Sequence, residues 1–97
     1  MTVALNQLHD ATLVSIHFDW ATRRCIFEFR GVPSLPQTFS LIFLEVSQLS
    51  IPAELPWGRS VSVLTACESR IGCFEFEMQS GDVIVVMSEQ GYFCKNE

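Results

Sequence analysis

Two histidines and two aspartates crowd the start of the chain, in the stretch LHDATLVSIHFDW over residues 8–20. His9 and Asp10 are adjacent. His17 and Asp19 are two apart, so on a strand they share one face. Imidazole and carboxylate together suit zinc or non-haem iron, but such a site needs a third protein ligand. Only His9 or Asp10 is near enough in sequence, and both precede the strand rather than flank its end. The expectation is therefore structural. Asp10 serves a turn, His9 bonds nearby backbone, and His17 and Asp19 form the wet side of an amphipathic strand. His9, His17 and Asp19 remain the candidates for a ligand site; no metal and no cofactor is expected.

Other chemistry is thinly represented. Serines are plentiful, yet no GxSxG turn presents one as a nucleophile. The five glycines stand singly, so no phosphate-cradling loop exists. Glu75 and Glu77 project from one side of a strand and suit acid–base work on a glycoside, a solubilising stripe, or docking of a cationic partner. The loop LPWGRS carries Trp57 and Arg59. Trp57 is expected to plug the open end of the sheet, and the competing reading makes it an exposed binding anchor. Trp57, Arg59, Glu75 and Glu77 are thus the candidate interaction residues, and no catalytic residue is assigned.

The elements that must position these side chains are strands. Period-two alternation sets Val14, Ile16 and Phe18 against Ser15, His17 and Asp19, and sets Cys25, Phe27 and Phe29 against Ile26, Glu28 and Arg30. DWATRR joins these two runs as a hairpin. After the break GVPSLPQ, the run TFSLIFLEV is apolar on both faces, as in a strand covered twice, and QLSIP continues it. SVSVLTACES alternates again. CFEFEMQ directs Phe74, Phe76 and Met78 inward, SGD turns the chain, VIVVMSE returns, and GYFCK is a last short strand. The reading is all-β: six to seven short antiparallel strands, mostly a meander, curled into a small barrel or a two-layer sandwich. The alternative is α+β with one short helix around residues 3–9.

Ninety-seven residues suit one domain, and 48% hydrophobic residues fill one core without staples. No apolar run is long enough to cross a bilayer as a helix, and the first ten residues lack the basic flank and apolar core of a secretory signal. The four cysteines, Cys25, Cys67, Cys73 and Cys94, form no CxxC pair and read as reduced thiols in a cytoplasmic protein. Net charge is −5, and acids outnumber bases by four in residues 68–97 alone. An acidic chain repels phosphate backbones, which argues against nucleic acid and for a basic protein partner.

The chain resembles a family of small β-rich bacterial proteins with no assigned activity. They share LHDATL…DW, PWG.SVSV and EMQSGDVI, here Leu8–Trp20, Ile51–Val63 and Glu77–Ile84. Such sequences often have proline after PWG, where this chain has Arg59. A looser similarity is to β-rich immunity proteins of bacterial toxin loci. The function expected is a non-catalytic cytoplasmic protein-interaction module, immunity-like in its specific form, binding a basic partner or pairing as a homodimer. The alternative is a small-molecule-binding β-barrel or minor enzyme with a site near His9, His17 and Trp57.

Overall fold

A computed structural model describes residues 4–32 and 35–96. Eight strands run in chain order: β1 Thr12–Asp19, β2 Arg24–Val32, β3 Leu35–Phe43, β4 Val46–Ser50, β5 Val63–Arg70, β6 Cys73–Met78, β7 Val83–Ser88 and β8 Tyr92–Asn96. They form two four-stranded antiparallel sheets, β1-β2-β3-β8 and β4-β7-β6-β5, which do not close into a barrel. Within the all-β expectation this is the two-layer arrangement. The short N-terminal helix of the alternative is a single 3-10 turn, Leu5–Gln7. Part of the expected break over residues 31–37 lies outside the described residues.

Each sheet contains one meander, β1-β2-β3 and β5-β6-β7. Two strands leave the simple order: β4 pairs with β7, and β8 returns to pair with β3. The eighth strand arises because TFSLIFLEV is not the one continuous strand that its apolar run suggests. β3 ends at Phe43, Glu45 adopts φ 51, and β4 begins in the other sheet at Val46. The corner is held through the Leu44 backbone: its N–H donates to the Gly91 carbonyl at 3.1 Å, and its carbonyl accepts from the Ser88 hydroxyl. A second corner joins the sheets where Leu13 N–H donates to the Val61 carbonyl and Val63 N–H to the Ala11 carbonyl.

The sheets meet across an aromatic core. Phe27 of β2 lies 4.9 Å from Phe76 of β6, and Phe43 of β3 lies 5.2 Å from Phe74 of β6, centroid to centroid. Phe29 stacks on Phe39 within its own sheet at 5.2 Å. Such pairs add about 0.5–1.5 kcal/mol each beyond the burial of their area. The inward triples Cys25–Phe27–Phe29 and Phe74–Phe76–Met78 are all buried, as alternation requires.

Candidate functional site

β1 departs from simple alternation. Its register against β2 shifts between Leu13 and Ser15, so Val14 sits in a bulge and is 56% exposed rather than inward. A bulge adds a residue to one strand and re-aims the side chains beyond it. Leu13 takes the inward place expected of Val14, and Leu13 and Ile16 both pack against the core. The bulge also divides β1 functionally. Its first residues are bonded to residues 61–63 across the corner. Its second half, Ile16–Asp19, pairs with β2 on one side, and β1 is the outermost strand of its sheet.

That open half ends in aromatic residues. Trp20 is 84% exposed, and Phe18, 37% exposed, meets it edge-on at 6.1 Å. The hairpin turn that presents them is tied by Asp19, whose Oδ1 accepts the N–H groups of Ala21 at 3.0 Å and Thr22 at 3.2 Å. Its far side is tied by the Arg23–Glu45 ion pair and by Val46 N–H donating to the Arg23 carbonyl. Two depressions flank the rings. One, about 290 Å³, lies between Phe18, Trp20 and Val46. The other, a shallow 750 Å³, spreads over the outer face and is lined by His17, Trp20, Arg24, Ile26 and Glu28 among others.

His9 Nε2 lies 3.5 Å from its neighbour Asp10 Oδ2, but this pair is not brought together with His17 and Asp19. His9 Nδ1 is 2.8 Å from the Leu64 carbonyl, and Asp10, at φ 67, accepts the Gln79 amide at 2.6 Å. Both therefore belong to the corner with β5. His17 Nε2 lies 3.2 Å from Glu28 Oε1 on the outer face of the first sheet. Among the described residues no three His, Cys, Asp or Glu side chains converge as a metal site would need.

Trp57 does not plug the sheet. It is 65% exposed, and the reason is the turn beneath it. Its N–H donates to the Ser80 carbonyl at 2.9 Å, and its ring rests on Gly81, where a Cβ would come within 2.7 Å of the indole. With its position set by that turn, the ring lies on the surface. Arg59 lies two residues on, exposed. Glu75 and Glu77 stand half-buried on β6, flanked in register by Val85 and Val83 of β7 and by Cys67 and Thr65 of β5. β6 is an inner strand, so the pair does not protect a sheet edge.

Sequence reasoning passes over two features. Alternation assigns Phe18 to an inward face and leaves Trp20 in a polar turn; the available signal is a tryptophan in an otherwise hydrophilic hairpin. Asp82 reads from sequence only as part of a turn. It is 6% exposed and accepts the Glu54 N–H at 2.8 Å, the Leu55 N–H at 3.0 Å and the Ser80 hydroxyl at 2.8 Å. Burial works against its charge, but these donors outweigh it and hold the carboxyl below its ordinary value. It thereby fastens the loop that carries Trp57.

No family model, curated protein or solved structure matches this chain.

Proposed function

We propose that this protein is a non-catalytic interaction module that binds another protein chain through the open half of β1. The observation that carries the reading is Trp20, 84% exposed beside Phe18 at the end of an outermost strand. Strand edges bind partners by backbone hydrogen bonds, and side-chain anchors supply the specificity. Exposed tryptophan is the residue type most enriched among energetic anchors of interfaces. The turn behind it is fixed by Asp19 and by the Arg23–Glu45 pair, so little order is lost on binding. Unbridged, buried Cys25 and Cys73 support a reducing, cytoplasmic setting. Net charge of −5 supports a protein partner over nucleic acid. Co-purification of tagged protein tests the reading, with Trp20→Ala and Phe18→Ala as comparisons. A stoichiometric protein, a second copy included, that is lost from both variants supports it; association unchanged in both overturns it.

An immunity-like inhibitor of a basic protein is a second reading, and it uses the other sheet. Glu75 and Glu77 lie on one face of β6 between Val85 and Val83 of β7 and Cys67 and Thr65 of β5, and among the described residues neither takes part in an ion pair. A basic partner whose capture is lost in Glu75→Gln/Glu77→Gln but kept in Trp20→Ala would favour this face.

A further inference from the structure

We infer that the occupant of the β1 edge is a second copy of the same chain, added antiparallel about a two-fold axis with Phe18 opposite Phe18. The inference rests on the interaction reading above and names its partner.

Register selects the partner. Two copies of a strand paired antiparallel must match odd positions to odd and even to even, or every side chain changes face. Along the open half of β1, four symmetric registers meet that condition. With Ile16 at the axis, Phe18 must pair with bulged Val14 and Asp19 with Leu13, whose N–H is already bonded to Val61. With His17 at the axis, imidazole faces imidazole. With Asp19 at the axis, carboxylate faces carboxylate. With Phe18 at the axis, His17 of each copy lies directly opposite Asp19 of the other, twice. Like charges placed opposite each other across strands destabilise pairing, and opposite ones support it. An imidazole opposite a carboxylate can donate to it, whereas two carboxylates or two imidazoles gain no such match, so the strand is self-complementary in one register. Asp19 Oδ1 is engaged by the turn, and no hydrogen bond to its second oxygen is seen among the described residues.

The apolar face agrees with the same register. Phe18 would meet its own copy, and Ile16 of each chain would lie beneath the Trp20 end of the other. Half-buried Ile16 and exposed Trp20 would thus cover one another. The arrangement also explains where pairing stops. The Val14 bulge and the bonds of Leu13 to residue 61 close the first half of β1 to a partner. Two four-stranded sheets would join into one of eight, and the Glu75–Glu77 face stays clear of the contact. A two-fold contact of this kind is closed, so it stops at a dimer.

Sedimentation equilibrium or light scattering at micromolar concentration, with cross-linking, tests this. A mass twice the 11.0 kDa of one chain is expected. His17→Asp sets carboxylate against carboxylate twice and is expected to weaken the dimer about tenfold or more; adding Asp19→Asn, which keeps the turn acceptor, should recover part of that loss. Phe18→Cys, in a Cys67→Ser background, should form a disulfide between copies, since facing Cβ atoms lie about 4.5–5.5 Å apart. A monomer at 100 µM overturns the inference. So does a dimer that neither cross-links at position 18 nor weakens in His17→Asp. A monomer that captures a different protein in a Trp20-dependent way leaves the surface assignment standing and removes only the second copy. A chain that stays monomeric and captures nothing through Trp20 removes both.

Discussion

The carboxylate of Asp82 reaches back across the chain to accept the backbone N–H of Leu55 at 3.0 Å. Together with its bond from Glu54, this fastens an irregular loop onto the β6–β7 turn. Loop and turn lie far apart in sequence, and the stretches PWG and SGD meet here: Trp57 lies on Gly81, and Asp82 holds the residues just before Pro56.

Asp82 makes stability depend on pH with a definite sign. Its folded-state carboxyl titrates below the ordinary 3.8, so its contribution is fully present above that value and fades as pH falls through the folded value. Asp82→Asn is expected to lower the urea midpoint at pH 7, with the gap from the parent protein narrowing in strong acid. Urea titrations of both proteins at several pH values check this. A gap that is constant with pH would show that the charge contributes nothing.

Gly81→Ala is expected to destabilise by about 1–3 kcal/mol, because a left-handed backbone and a tight contact are both violated. Gly81 has φ +93, and the added Cβ would lie 2.7 Å from both the Trp57 ring and the Pro56 ring. In a Trp20→Phe background the emission of Trp57 should also shift, since the indole must move. Unfolding curves and fluorescence read both effects.

Phe76→Ala is expected to cost about 3–5 kcal/mol, the range for a fully buried aromatic. Its ring touches Phe27, Phe29 and Phe43 across the two sheets. Phe18→Ala, at the rim, should lose less than half as much in the monomer. Urea denaturation of both variants makes the comparison.

The thiols should separate by reactivity. Burial pushes Cys25 up to about 11, whereas Cys67 is exposed. A thiolate-specific reagent at pH 8 should modify Cys67 first and reach Cys25 only on unfolding. Intact mass measured without reductant should show no hydrogens lost to disulfides.

In the monomer, Asp19→Ala should destabilise by about 1 kcal/mol, as loss of a capping acceptor does, whereas His17→Ala should stay within about 0.5 kcal/mol. The difference arises because Asp19 holds two turn N–H groups while His17 makes one exposed contact with Glu28. Chemical denaturation of the two variants separates them.

Much of the fold is legible in the sequence because alternation is a local property. Cys25, Phe27 and Phe29 point inward on the strength of their own spacing, as do Phe74, Phe76 and Met78. The bulge at Val14 is not legible, since an extra residue in one strand is defined only against its partner. The break after Phe43 is hidden for a related reason: the residues on both sides are apolar, and the change of sheet is enforced by Ser88 and Gly91, which arrive later in the chain. At the candidate site, the residue types are visible but not their exposure. Trp57 and Trp20 look alike as large apolar side chains, and both prove to be placed by turns rather than by the core.

The return of β8 to β3 bears on how the chain is made. Phe43 must wait for Tyr92, and Phe39 for Asn96, before that side of the first sheet is bonded. While a ribosome is still building the chain, β3 presents a bare edge of alternating Phe39, Leu41 and Phe43 with no strand beside it. Unpaired apolar edges of this kind recruit other chains. The first sheet is therefore finished only once β8 has been made and docked, and until then the β3 edge stays open to association.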